Sequence, residues 1–129
     1  MADTAGRILI VDDEPPLLRM MSIYLGRMGY GVTIAASALK ARAALAECPG
    51  GFAAVVLDAT MPNSSLAEIG GDILADPNVR LIVASGYPVD ISGLEAAAPG
   101  RVAFLHKPFS PEMLAATVRR MLAPKEEGI

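Results

Sequence analysis

The stretch Arg7-Ile8-Leu9-Ile10-Val11-Asp12-Asp13 decides how the rest of this chain is read. A short apolar run that stops abruptly at charge reads as a strand buried in a parallel sheet, delivering polar groups to one edge. The same pattern returns in Ala54-Val55-Val56-Leu57-Asp58 and, with the opposite sign, in Val102-Ala103-Phe104-Leu105-His106-Lys107. In an open α/β sheet that edge is where ligands bind. Asp12, Asp13, Asp58 and Lys107 are therefore candidates for a single site. Three carboxylates converging on one ammonium are badly unbalanced, and a divalent metal with a phosphoryl group would balance them.

Outward from these runs, five apolar segments alternate with helical patterns. The strands are expected at Arg7–Val11, Gly31–Ala35, Ala53–Leu57, Leu81–Ala84 and Val102–Leu105. Between the first two, Leu18, Met21, Leu25 and Met28 recur at helical spacing, after Pro15-Pro16 and before Gly29. Ser37 is placed to cap a second, Ala-rich helix reaching about Glu47. Ser110-Pro111-Glu112 supplies cap, first-turn proline and N-terminal acid to the last helix, whose apolar face is Leu114, Val118, Met121 and Leu122. The middle is weaker. Gly70-Gly71 inside a candidate helix costs about 1 kcal/mol per glycine relative to alanine, which predicts a short or broken third helix. Asp90–Ala98 leaves room for two turns before Pro99-Gly100. Alternation of this kind implies a doubly wound parallel sheet, order 2-1-3-4-5, with helices on both faces. One domain over 7–123 is expected, with 1–6 and 124–129 as loose termini.

Composition narrows the function. At 129 residues, 53% hydrophobic and 19% charged, the chain can bury a core and is not a disordered segment. No apolar run approaches the roughly 18 residues needed to span a bilayer, and Met1–Arg7 lacks the pattern of a signal peptide. A soluble, cytoplasmic protein without a membrane partner is expected. With 11 basic against 14 acidic residues, and no basic cluster beyond Arg119-Arg120, direct nucleic-acid binding is not indicated. Cys48 is the only cysteine and His106 the only histidine, which excludes an internal disulfide and Cys- or His-rich metal chemistry.

In the expected order the first and third strands are neighbours at the switch point, so Asp12, Asp13 and Asp58 would lie within a few ångströms of one another. Like charges that close raise one another's pKa unless a cation intervenes. Magnesium, hard and oxygen-seeking, suits such a set, with manganese as a substitute. The alternative is that Asp12 or Asp13 merely caps the first helix. Lys107 would act as a mobile point charge toward a phosphoryl oxygen, and the Lys107–Pro108 bond is of the one type that tolerates a cis peptide. A solvated lysine before a turn proline is the plainer reading. Ser85, ending the fourth strand, could donate to a phosphoryl oxygen on Asp58, although Ser85-Gly86 is also an ordinary turn signal.

Four stretches, Ile8-Leu-Ile-Val-Asp-Asp-Glu-Pro15, Val55-Val-Leu-Asp-Ala-Thr-Met-Pro62, Leu81-Ile-Val-Ala-Ser-Gly86 and Phe104-Leu-His-Lys-Pro-Phe109, make the chain resemble a receiver domain of two-component signal transduction. The Ser-Gly-Tyr-Pro and Lys-Pro-Phe-Ser-Pro-Glu wording is similar to receivers of hybrid histidine kinases. The resemblance implies a flavodoxin-like fold and a signalling domain rather than an enzyme. It implies Asp58 as phosphoacceptor, with Mg2+ held by Asp12, Asp13, Asp58 and the backbone carbonyl of Thr60. Ser85 and Lys107 would contact the phosphoryl group, and Ser85 and Phe104 would form the switch. Thr60, Gly86 and Tyr87 would modulate the reaction, and a cis peptide would follow Lys107. The implied donor is a histidine kinase or a histidine phosphotransfer protein. The implied output is a downstream protein at the surface of the fourth helix, fifth strand and fifth helix, with a phosphorylation-dependent homodimer as a further option.

The chain departs from the receiver pattern after Pro62, where Asn63-Ser-Ser-Leu-Ala-Glu68 replaces an early glycine and the spacing from Asp58 to Ser85 is tight. A shortened third helix and a reshaped loop beside the acceptor are expected. Tyr87 stands where a side chain shields or exposes the phosphoryl group, or simply packs over a short loop. Phe104 could equally be a plain core aromatic, and His106 a strand-edge histidine. Among rivals, a phosphatase of the haloacid dehalogenase type wants an acid two residues after the nucleophile, where Thr60 stands. A nucleotide-binding loop wants a Gly-x-x-x-x-Gly-Lys that is missing. A receiver fold used as an unphosphorylated interaction module is the remaining alternative.

Overall fold

A computed structural model describes residues 6–62 and 64–123. The expectation of loose termini therefore falls, Gly6 aside, outside the described residues. The elements run β1 (Arg7–Val11), α1 (Pro15–Arg27), β2 (Gly31–Ala35), α2 (Ala38–Glu47), β3 (Ala54–Asp58), α3 (Leu66–Leu74), β4 (Arg80–Ser85), α4 (Ser92–Ala97), β5 (Val102–His106) and α5 (Pro111–Leu122). The five strands are parallel in the order β2-β1-β3-β4-β5.

Both faces of the sheet are apolar because both are covered, which is why the strands are unbroken hydrophobic runs. Side chains alternate across the sheet. Leu9, Val11, Val55, Leu57, Leu81 and Val83 face one core with Ala41 of α2 and Ile69 and Ile73 of α3. Ile8, Ile10, Val56 and Ile82 face the other with Leu18, Met21 and Leu25 of α1 and Leu114 and Val118 of α5.

Strand ends differ slightly from expectation. β3 starts one residue later and extends to Asp58, β4 spans Arg80–Ser85, and β5 reaches His106. The added polar residues belong to the hydrogen-bonded ladder itself, where Asp58 pairs with Ala84 and Ser85 with His106. The backbone ladder thus fixes where the site's side chains begin.

Helix starts follow local chemistry. The Ser37 hydroxyl accepts from the Lys40 N–H at 3.1 Å, and the Ser110 hydroxyl from the Met113 N–H at 3.1 Å. Of the two expected forms, short or broken, α3 takes the first: it is short but continuous over nine residues, glycines included. Its start is capped by the Ser65 hydroxyl, which accepts from the Glu68 N–H at 3.3 Å, and Ile69, Ile73 and Leu74 anchor it in the core. The pattern Ser65-Leu-Ala-Glu68 is a capping signature that outweighs the glycine cost. No helix among the described residues is long and apolar enough to cross a membrane.

Candidate functional site

Asp12 follows β1, Asp58 ends β3 and Lys107 follows β5, so the ladder carries all three to one edge of the sheet. Asp12 and Asp58 are 1% and 4% exposed, while Asp13 is open to solvent. One carboxylate oxygen from each of Asp12, Asp13 and Asp58 lies within 4.8 Å of the others. The Lys107 Nζ donates to Asp12 Oδ2 at 2.9 Å and stands 3.5 Å from Asp58 Oδ2 and 3.7 Å from Glu14 Oε1. The Lys107–Pro108 peptide is cis.

The other oxygens of the two buried carboxylates are committed locally. Asp12 Oδ1 accepts from the Glu14 N–H at 2.9 Å. Glu14 is itself the N-cap of α1 and makes no side-chain cap bond, so neither aspartate caps that helix. Asp58 Oδ1 accepts from both the Thr60 N–H at 3.0 Å and the Thr60 hydroxyl at 2.9 Å.

These contacts set the electrostatics. Burial pushes the Asp12 carboxyl above its ordinary value, aided by the charge of Asp58 and only partly offset by Lys107 and the Glu14 N–H. For Lys107 burial is the largest single influence and acts downward. The hydrogen bond to Asp12 and the charges of Asp12, Asp58 and Glu14 together outweigh it, so its pKa is raised. The lysine stays charged at neutral pH. Three carboxylates against one ammonium leave excess negative charge in a site of hard oxygen donors, two of them desolvated. That donor set fits a small divalent cation such as magnesium.

Three further expected residues make no side-chain hydrogen bond to this cluster. Ser85 is fully buried, and its hydroxyl is occupied: it donates to the Tyr87 carbonyl at 2.8 Å and accepts from the Tyr87 N–H at 3.0 Å. It makes no hydrogen bond to Asp58. Phe104 is 37% exposed on the edge strand, its ring centroid 6.3 Å from that of His106, so it is not a core aromatic. Tyr87 is 71% exposed and, with Gly86, Pro15, Pro16, Met20 and Phe109, lines a groove of about 980 Å3 that opens beside Asp13 and Lys107. The alternative of a ring packed over a short loop does not describe it.

Two contributions escaped sequence reasoning. Glu14 lies in the quoted Asp-Asp-Glu stretch but carries no separate signal for its approach to Lys107. The Thr60 hydroxyl was legible in principle, because Asp-x-Thr favours a side-chain turn of this kind.

Comparison with known proteins bears on this geometry. The family profile for the response regulator receiver domain matches residues 8–119. The chain is 34% identical over 129 residues to the sensor kinase CckA of Brucella abortus, covering 95% of this chain and 13% of that protein. Among solved structures, a CheY-like receiver domain protein from Methanospirillum hungatei superposes with a TM-score of 0.77 at 28% identity, covering 91% of this chain and 93% of that one. The response regulator TrrA from Thermotoga maritima, solved in complex with Mg2+-BeF, superposes with a TM-score of 0.74 at 27% identity, covering 90% and 98%. The chain spans about half or less of the length of the curated relatives it matches.

Proposed function

The chain belongs to the response regulator receiver domain family, and we propose that its 7–123 unit takes a phosphoryl group onto Asp58 from a phosphohistidine of a histidine kinase or phosphotransfer protein, in a Mg2+-dependent reaction. The observation that carries this reading is the pairing of a buried Asp58 with two further carboxylates within 4.8 Å and the Lys107 ammonium at 3.5 Å. Asp12, Asp13, Asp58 and the Thr60 backbone carbonyl would hold the ion. A bound Mg2+ neutralises charge on a transferring phosphoryl group.

The chain's own residues do the rest. The Asp58 carboxylate attacks phosphorus as the P–N bond to the donor imidazole breaks, its electron pair returning to the ring. Lys107, held charged by its acidic neighbours, stabilises the equatorial oxygens. Burial of Asp12 and Asp58 keeps the reacting groups oriented and poorly hydrated. The site is an acceptor that is consumed and restored once per signalling cycle.

The new dianion then competes for the Ser85 hydroxyl, which must leave the Tyr87 carbonyl to reach it. Phe104 turns inward into the space released, and the α4-β5-α5 surface changes for a downstream protein or a second copy. Moving a population fully from one state to the other takes up to about 5.5 kcal/mol, and charge-assisted hydrogen bonds supply about 1.5–3 kcal/mol each.

Incubation with acetyl phosphate and Mg2+, followed by mass spectrometry, tests the reading. One phosphoryl group is expected on the wild type and none on Asp58→Asn. Absence of the adduct from both would leave a receiver fold serving as a passive interaction module.

A further inference from the structure

β2 is an edge strand: among the described residues it pairs only with β1. The ladder decides which of its backbone groups are used. The Gly31 N–H donates to the Gly6 carbonyl at 2.9 Å, and the Ala35 carbonyl accepts from the Asp12 N–H at 3.1 Å. Backbone groups alternate in direction along a strand. Gly31, Thr33 and Ala35 therefore face β1, while the N–H and C=O of Val32 and Ile34 point out of the sheet. Such edges are ordinarily guarded by a lysine, a proline, a bulge or a covering element. Here the strand is Gly-Val-Thr-Ile-Ala in unbroken register, and the Ile34 side chain is 51% exposed. On α1, Leu17 and Met20 line the groove beside Phe109, and the opposite flank, toward β2, carries Arg19, Ser22 and Gly26. A Cβ on Gly26 would meet nothing within 4 Å, so this flank leaves the edge uncovered.

We propose that a second copy of this chain docks on this edge, the two β2 strands pairing antiparallel about a two-fold axis between their Thr33 residues. In that register Val32 faces Ile34 of the second copy, and Ile34 faces its Val32. Each of these pairs exchanges two hydrogen bonds, which uses every outward N–H and C=O of both strands. Val32 packs with the α1-side core, so Val32 and Ile34 make β-branched pairs on that face, and the two Thr33 side chains meet on the other.

Charge favours a copy as the occupant. Arg42 of α2 pairs with Asp72 of α3, which turns that flank of α2 away from the edge. The opposite flank, toward β2, carries Lys40 and Glu47, both exposed and in no ion pair among the described residues. Strand and helix run in opposite directions. From Ala35 back to Thr33 is about 6.6 Å of strand, which α2 covers in about four residues from Ala38, so the axis passes between Lys40 and Glu47. The two-fold then sets Lys40 of each copy opposite Glu47 of the other. Arg19, the one charge on the α1 flank, has a long stem free to turn to solvent. A closed two-fold of this kind stops at two copies. The acidic sites open in opposite directions and the α4-β5-α5 surfaces lie at the far ends of the joined sheet, so pairing needs no phosphoryl group.

Sedimentation of the unphosphorylated, metal-free 129-residue chain, from about 10 μM to about 1 mM, tests this together with amide exchange over the same range. Dimer is expected to accumulate, and the Val32 and Ile34 amides to exchange about tenfold more slowly at the upper concentration. The outward amides of the other edge strand, Phe104 and His106, serve as the control and should not gain protection. Ile34→Lys, at an exposed position the monomer tolerates, should lower the association constant about tenfold or more. Lys40→Glu and Glu47→Lys should each lower it about fivefold, and together restore it to within about twofold of wild type. A chain still monomeric at the upper concentration, protection of Phe104 and His106 instead, assemblies growing beyond two copies, or charge reversals that fail to compensate would each overturn the proposal.

Discussion

Asp12 is buried, bonded to a lysine, and still unfavourable as an anion. Desolvation and the nearby Asp58 raise its pKa more than Lys107 and the Glu14 N–H lower it. A pKa raised on folding means that the native state holds its proton more tightly than the unfolded chain. Stability therefore falls as pH rises through the carboxylate range, and the penalty persists at neutral pH. Such a cluster is kept for what it binds rather than for the fold. Asp12→Asn is accordingly expected to raise the unfolding free energy of the metal-free protein at neutral pH by about 1 kcal/mol, read by urea denaturation in a chelator. The same change should weaken Mg2+ binding by about tenfold or more, because fewer carboxylates offset the ion's dehydration. A destabilised variant would mean that the Lys107–Asp12 bond outweighs the repulsion. The sequence made these charges legible because each ends an apolar run. It could not show the direction of the balance, which depends on how deeply the chain around Asp12 and Asp58 closes.

α3 shows how two adjacent glycines can differ in meaning. A Cβ built on Gly70 would lie 2.9 Å from Leu94 Cδ1 of α4 and 3.5 Å from Leu81 Cδ2, whereas one on Gly71 would meet nothing within 4 Å. Gly70 is thus a packing feature, a bare spot that lets the six-residue α4 seat Leu94 against α3. Gly71 is only a weak helix former in an exposed position. Gly71→Ala is expected to stabilise the protein by about 1 kcal/mol through helix propensity alone. Gly70→Ala should forfeit that gain by displacing Leu94, and should speed amide exchange across α4 while leaving α1 and α5 unchanged. Equal stabilisation by both substitutions would show that Leu94 swings aside at no cost. From sequence the pair left a short or a broken helix equally open, because propensity adds locally and the partner that makes Gly70 useful lies 24 residues further on. The Ser65 cap was readable and favours the short, continuous form.

The order of strands and the position of the acidic edge were legible from end to end, since each buried run announces both its strand and the polar residue that follows it. What stayed hidden were contacts between distant, unremarkable positions. Those of Arg101 are the clearest. Its guanidinium donates to the Val79 carbonyl at 3.1 Å, to the Leu74 carbonyl at 3.1 Å and to the Asp76 carbonyl, fastening the end of α3 and its connection to β4 against the start of β5. These groups gather where the strands begin, at the opposite edge from Asp12, Asp58 and Lys107. The fold thus separates a pole where charges are crowded for binding from a pole where a charge is fully employed in holding backbone together. Arg101→Met keeps much of the aliphatic stem and removes the donors, leaving three part-buried carbonyls to find water. Its expected cost is about 2 kcal/mol of unfolding free energy, seen as a lower urea midpoint with an unchanged slope. Mg2+ affinity and the rate of loading from acetyl phosphate should stay within about twofold of wild type, because sites this far apart with no shared partners behave additively. Should the substitution instead impair metal binding or loading in step with stability, the two edges would be coupled through the sheet, and the division of labour described here would fail.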